Sequence, residues 1–373
     1  MGKSIKSIPF FDYPRLYKDD KDSLMSIFNE TCEKGAFIMQ KDVELFEQNL
    51  SNFINCEYSV GVANATDGLE LCWLAAGLEK GDEVICSSHT MLATASSIKL
   101  SGGIPIPVDI GEDNLIDPKC VEAAINSRTV GIMPTQLNGR VCDMEAIMNI
   151  AKKNNLIVIE DAAQSLGAKY CGKSSGTFGL ASAISFFPAK VLGSFGDAGA
   201  VVTNNPEMFD KVYQLHDHGR DVNGEVKSWG RNSRLDNLQA AILNYKFKTY
   251  QKTIKRRREI ADIYDLRLRS IEEINLPPGP SNNSKNFDVY QNYELTAAKR
   301  DKLKIFLSNN GIGTLIQWGG KGIHQWENLG LGQCLPKVEN FFNRCIMLPM
   351  NIFISDDDVF YICNQIKNFY ANK

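Results

Sequence analysis

Apolar and polar positions along the chain fall into two regimes. Residues 19–34 and 41–54 carry apolar positions at helical spacing, the first stretch stopped by Gly35. From Tyr58 short apolar runs take over: Tyr58–Ala63, Glu83–Cys86, Ile104–Val108, Val130–Pro134, Leu156–Ile159, Ala183–Phe187 and Ala200–Thr203. Helical spacing returns between most of them, at Thr66–Gly77, Met91–Leu100, Pro118–Ile125 and Asp143–Lys153. Short apolar runs bounded by polar residues read as strands buried on both faces. Strands that alternate with helices predict an α/β sandwich on a mainly parallel sheet. The pattern leaves the strand order open.

From Asp236 to about Ile271 no Pro or Gly interrupts the helical spacing, which predicts one long helix. Residues 276–286, LPPGPSNNSKN, are a loop. Beyond it the pattern predicts a strand (Tyr290–Thr296), a helix (Arg300–Asn309), a strand (Gly313–Gln317), a loop and a helix (Ser355–Tyr370). Ser355 and Asp358 stand at capping-box spacing, with Asp in place of Glu or Gln. At 373 residues the chain exceeds the size at which one core stops growing. The expected division is a large α/β domain, residues 1–247, and a small α+β domain, residues 248–373, bridged by the long helix.

Composition narrows the function classes. An apolar content of 43% and a charged content of 23% are ordinary for a globular protein. A net charge of −3 and a pI near 5.9 give no electrostatic case for nucleic acid. The basic run Lys255-Arg256-Arg257-Arg258 lies in the long helical pattern and reads as a solvated face. Ten cysteines without CxxC spacing argue for reduced thiols, a cytoplasmic location and no metal site. The first residues carry no secretory apolar segment, and Met1-Gly2 with Ser4 gives only a chance likeness to an acylation signal. No run approaches the ~18 apolar residues of a membrane span.

Candidate chemistry sits where two strands end. The run Leu156–Ile159 stops at Glu160-Asp161, and the carboxyl edge of a parallel sheet is where such folds bind ligands. The run Ala183–Phe187 leads into Pro188-Ala189-Lys190, with glycines following at 193, 196 and 199. A lysine amine forms a Schiff base with an aldehyde cofactor. Pyridoxal phosphate is an electron sink only while its ring nitrogen stays protonated, and a carboxylate against that nitrogen keeps it so. Lys190 and Asp161 are the candidates for these roles, Ser185 for a phosphate contact and Gln164 for the ring hydroxyl. Taken singly, a lysine after proline reads as a solvated loop residue, and an aspartate ending a strand as a turn residue or helix cap.

The combined strings EDAAQSLGA (160–168) and SFFPAKVLGSFGDAGAVVTN (185–204) resemble the DegT-type (DegT/DnrJ/StrS) sugar-nucleotide aminotransferases, and the likeness runs from about Pro9 to Tyr370. The resemblance implies an aspartate-aminotransferase-like (fold type I) scaffold, with one antiparallel strand in a seven-stranded sheet. It implies pyridoxal 5'-phosphate, with Lys190 as Schiff-base lysine, Asp161 as pyridinium partner and Gln164 as ring-hydroxyl contact. The turn Asn64–Gly68 matches the family's phosphate turn, so Ala65 and Thr66 are implied backbone ligands; Ala65 replaces the usual glycine, which suits a φ below zero. From the residues alone Thr66 also reads as an ordinary helix cap. In Ser88-His89-Thr90-Met91-Leu92-Ala93-Thr94, Met91 holds the place of the aromatic that stacks on the cofactor ring, with His89 as the alternative cover.

The same resemblance places Asn232, within GRNSRLD (230–236), on the cofactor phosphate of a neighbouring subunit, which implies a homodimer with shared sites. His218, in LHDHGRD (215–221), is an implied substrate contact, though the segment also reads as a helix C-terminus. The loop IQWGGKGIHQ (316–325) departs from the family pattern. There Trp318 is placed to stack on a base or sugar, and Lys321 and His324 to meet a pyrophosphate, against the plain reading of a glycine-rich turn. The implied reaction moves an amino group from L-glutamate to a nucleoside-diphosphate keto sugar, with Lys190 carrying the proton, for amino sugars of surface polysaccharide or O-antigen. A 4-keto-6-deoxyhexose is the favoured acceptor and a 3-keto sugar the second. The rival readings are a sugar dehydratase, whose relatives carry histidine in place of the lysine, and a non-catalytic sensor.

Overall fold

The computed structural model describes residues 6–281 and 285–371; the first five residues, with their acylation-like start, and residues 282–284 of the proline-rich loop lie outside them. The main sheet holds β1 (Tyr58–Val62), β2 (Glu83–Ser87), β3 (Ile104–Val108), β4 (Thr129–Met133) and β5 (Ile157–Asp161). A short hairpin of β6 (Lys169–Tyr170) and β7 (Lys173–Ser174) follows, and then β8 (Ala181–Ser185) and β9 (Gly199–Thr203) return to the sheet. Strand order is β1-β9-β8-β5-β4-β2-β3, and β9 alone runs antiparallel to its neighbours.

Both faces are covered, which is why the strands read as apolar runs. Successive side chains alternate between faces. Val84, Cys86, Met133, Ile159, Ala183 and Val201 enter one core with the helix Ala65–Ala75. Ile85, Ile132, Val158, Ile184, Ala200 and Val202 enter the other with the helices Lys41–Ile54 and Met144–Asn154. A separate core gathers around β10 (Ile274–Asn275), β12 (Tyr293–Ala297) and β13 (Cys345–Leu348), while β11 (Asn286–Phe287) pairs with β6. Ile8 joins this second core and bridges to Ile312, so the start of the described chain packs with its end. Among the described residues no helix is long and apolar enough to cross a membrane.

Four expectations need correction. The stretch from Asp236 is two helices, Asn237–Phe247 and Tyr250–Leu268. The chain breaks at Thr249 (φ −112, ψ 5) without Pro or Gly, because packing decides: Tyr250 is buried in the core that holds the helices Lys41–Ile54 and Met144–Asn154, with its hydroxyl on Leu166 O at 2.7 Å. Gly313–Gln317 is no strand beyond a single bridge from Leu315 to Met347. Just before it, Ile8 bridges to Ile312, accepting from Gly313 N and donating to Gly311 O, both at 2.8 Å. In the basic run only Lys255 is solvated, and the three arginines are not. Arg256 donates to Ile354 O, Arg257 to the carbonyls of Tyr290 and Gln291, and Arg258 to Asp288 O. Planar guanidinium donors suit such carbonyl capping. Finally, the cap of the helix Ala65–Ala75 is Asn64, whose Oδ1 accepts from Asp67 N at 2.9 Å, rather than Thr66.

The pattern missed the helix Pro336–Arg344 and β13 behind it, and the strand expected at Tyr290–Thr296 begins at Tyr293. Gly35 stops its helix in a left-handed conformation (φ 61), and the Ser355–Asp358 box forms in both directions, at 2.9 Å and 3.2 Å.

Candidate active site

The edge formed by β5 and β8 brings the two central residues together. Asp161 closes β5 and pairs in register with Ala183 of β8, whose continuation turns through Pro188 to Lys190. Lys190 N donates to Phe187 O at 2.8 Å, which closes that turn. Asp161 is buried. Thr94 Oγ1 donates to its Oδ2 at 2.6 Å and Ala163 N to its Oδ1 at 3.2 Å. Burial raises its pKa above the usual aspartate value, opposed by those two donors and by Lys190. Burial lowers Lys190 to about 8, with the Asp161 charge pulling the other way. An amine near 8 keeps a useful neutral fraction at neutral pH, as a nucleophile or proton carrier requires.

Gln164 follows on the loop after β5. Its Oε1 accepts from Asn138 N at 3.0 Å, so its Nε2 is the side available to a ligand. Ser185 ends β8, where its Oγ accepts from Phe187 N at 3.3 Å and keeps its own proton to donate. Ser185 pairs with Gly199 of β9. A Cβ at Gly199 would lie 2.7 Å from Ala65 N and 2.5 Å from Asn64 C, so only glycine lets this strand meet the helix start. Ala65 and Thr66 occupy the first helical turn, whose N–H groups and dipole favour an anion, and Ala65 is not among the residues of positive φ. Gly199 thus links the strand end that carries Ser185 to the helix start that carries these amides.

Taken together, these residues fit pyridoxal phosphate: an anion cradle, an outward amide donor, a buried carboxylate lacking a cationic hydrogen-bond partner among the described residues, and a lysine with a lowered pKa.

The other predicted residues scatter. Met91 caps the helix Leu92–Leu100 and is 49% exposed, at the rim. His89 is fully buried instead, with Nδ1 on Asn114 O at 2.8 Å, Nε2 3.3 Å from Glu294 and rings of Phe341, Phe342 and Trp318 around it. His324 is buried with both ring nitrogens engaged, by Ser88 Oγ at 2.6 Å and Glu339 at 3.2 Å. Trp318 (φ 47) is half-buried against the aromatic group, while exposed Lys321 lies over the Trp326 ring at 5.0 Å. The helix Pro206–His216 ends at the first histidine of its segment, leaving His218 exposed in a left-handed turn (φ 57) bonded to Arg231 O. Asn232, paired with Asp217, is exposed too.

Sequence reasoning passed over three supports. Thr94 carries Asp161, and Thr90 and Thr135 bond it or each other from below at 2.7 and 2.8 Å. Gln291 brackets the lysine: its Oε1 accepts from Val191 N and its Nε2 donates to Ala189 O, both at 2.8 Å. Asn138 holds Gln164. Only Thr94 left a signal, as the closing residue of the segment that contains Met91.

The profile of the DegT/DnrJ/EryC1/StrS aminotransferase family matches residues 18–367. A protein of Geobacillus stearothermophilus described as a pleiotropic regulatory protein is 36% identical, covering 98% of this chain and 99% of its own length. The UDP-2-acetamido-2-deoxy-3-oxo-D-glucuronate aminotransferase of Pseudomonas aeruginosa is 34% identical, over 97% and 100%. The crystal structure of S. venezuelae DesV in complex with a ketimine intermediate superposes with a TM-score of 0.93 at 30% identity, over 97% and 98% of the two chains. Across the relatives the named sugars are UDP-, dTDP- and GDP-linked, and two of the names specify a 3-oxo or 3-dehydro sugar. Sequence likeness over nearly the full length and a site that fits the family's cofactor converge: this chain belongs to the DegT/DnrJ/EryC1/StrS family and is a sugar-nucleotide aminotransferase.

Proposed function

We propose that the protein transfers the amino group of L-glutamate to a nucleoside-diphosphate keto sugar, using pyridoxal 5'-phosphate held at the β5–β8 edge. The carrying observation is that buried Asp161 and Lys190, whose pKa is lowered to about 8, stand at the ends of adjacent strands. Pyridoxal phosphate, when bound, supplies the electron sink for the carbanion at the amino-donor carbon. Ala65, Thr66 and Ser185 bind its phosphate, Gln164 Nε2 donates to its ring oxygen, and Asp161 holds the proton on its ring nitrogen. Lys190, as a neutral amine, would take the proton from the donor Cα and deliver it to the cofactor C4′ carbon, and in the second half-reaction would carry a proton from C4′ to the sugar carbon that receives the amine. Exposed Asn232 suits delivery to the phosphate of a second copy, which supports a homodimer with shared sites. All ten cysteines are free, which supports a cytoplasmic setting.

The acceptor reading stays with the sequence, a 4-keto-6-deoxyhexose; the 3-keto alternative draws on the Pseudomonas relative, named for a 3-oxo sugar. The test is a panel of UDP-, dTDP- and GDP-linked 3-keto and 4-keto sugars, incubated with holoenzyme and 15N-labelled glutamate and read by mass spectrometry. One labelled amino-sugar nucleotide is expected, and its fragmentation assigns the carbon. Cofactor binding without label transfer to any acceptor would favour the sensor.

A further inference from the structure

The amide of Gln164 can serve the cofactor only if it points the right way, and the residues that decide this lie outside the site. A backbone N–H can only donate, so the atom of Gln164 that faces Asn138 N is its carbonyl oxygen. Asn138 itself is in the left-handed region, at φ 56, a conformation that a non-glycine residue keeps when its surroundings hold it. Its side chain is tied at both ends. Nδ2 donates to Glu294 Oε2 at 2.7 Å, and Oδ1 accepts from Asn292 Nδ2 and Gln317 Nε2, each at 2.8 Å. Gln317 Nε2 also lies 3.1 Å from Glu294 Oε2.

Glu294 stands on β12 and is 5% exposed. No arginine or lysine pairs with it among the described residues; its ionic neighbour is His89, whose Nε2 lies 3.3 Å from Oε2. The His89 Nδ1 must carry a hydrogen, because Asn114 O can only accept. Nε2 lies within ionic distance of a carboxylate oxygen that also accepts from the side-chain amides of Asn138 and Gln317, but makes no hydrogen bond to it. A buried acid on β12 thereby anchors Asn138, whose backbone faces Gln164.

We propose that Glu294 is a positioning residue: buried beside His89, it locks Asn138, and through the Asn138 N–H, with Asn292 Nδ2 3.5 Å from the same Gln164 oxygen, it aims the Gln164 amide nitrogen at the cofactor ring oxygen. This rests on the cofactor reading given above and adds the device that sets one of its contacts. It gives His89 a role beneath the site rather than over the ring. It also makes the β12 segment a double support, because Gln291 brackets Lys190 while Glu294 governs Gln164.

The test compares wild type, Glu294→Gln, Asn138→Gly, Gln164→Ala and the Glu294→Gln/Gln164→Ala double variant. Two quantities are read: the Kd for pyridoxal phosphate, and the pH midpoint of the visible band of the loaded protein, which responds to a donor at the ring oxygen. Glycine accepts the left-handed turn, so Asn138→Gly keeps the backbone and removes only the ties. Glu294→Gln and Asn138→Gly should each weaken binding about tenfold, the scale of one charge-assisted hydrogen bond, and move the midpoint in the direction that Gln164→Ala moves it. The double variant should be no worse than Gln164→Ala. Glu294→Gln matching wild type in both readouts, or a double variant with additive losses, overturns the proposal while the cofactor reading stands. Should Glu294→Gln fail to fold, Asn138→Gly decides alone by the same criteria. A wild-type protein that takes up no pyridoxal phosphate overturns both.

Discussion

Lys190 offers a prediction whose size follows from burial. An ordinary lysine titrates near 10.5, whereas burial brings this one to about 8. At pH 7 the neutral fraction is then about one in ten rather than about one in 3,000, roughly a 300-fold gain in reactive amine. The perturbation is pH, applied to enzyme stripped of cofactor, and the assay is the stopped-flow rate of covalent uptake of pyridoxal phosphate. That rate should rise about tenfold per unit below pH 8 and level off above it, since further deprotonation gains nothing once the amine is neutral. Asp161 gives the sign of a second arm. Its carboxylate favours the ammonium form of Lys190, so Asp161→Asn should move the midpoint below that of wild type. A rate still climbing tenfold per unit between about pH 9 and 10 would mean a solvated lysine and refute the reasoning.

Three further outcomes follow. Asp161→Asn should lower turnover by orders of magnitude more than it weakens cofactor binding, because a neutral amide cannot hold the ring proton; half-reaction rates equal to wild type would remove Asp161 from the site. Gln291→Ala deletes two hydrogen bonds at about 1 kcal/mol each from either side of Lys190, and should cut kcat at least several-fold with KM little changed; an unaltered kcat would reduce Gln291 to packing. Mixed Lys190→Ala and Asn232→Ala chains should regain activity on subunit exchange, because each heterodimer has one site with both native residues. Demonstrated exchange without recovery above either parent would confine Asn232 to its own chain.

The legible parts of this protein are those that local pattern dictates. The seven strands of the main sheet lie within a residue or two of the apolar runs, because burial on both faces keeps most strand positions apolar. Asp161 and Lys190 were readable because each follows such an end. The break at Thr249, the bridge of Ile8 to Ile312, and the capping work of Arg256 to Arg258 all arise from partners distant in sequence. The supports of the site share that origin. Gln291 lies 100 residues from Val191, and Glu294 lies 156 from Asn138, so neither contact leaves a trace in spacing.

The most direct measurement is borohydride reduction of the holoenzyme followed by peptide mass mapping, with and without prior incubation with L-glutamate. The predicted result is a reduced pyridoxyl group on Lys190 and on no other lysine, and its disappearance when glutamate has first released the lysine. Label on a different residue, or label on Lys190 that glutamate leaves untouched, would contradict the assignment of this site as the centre of a glutamate-dependent aminotransferase.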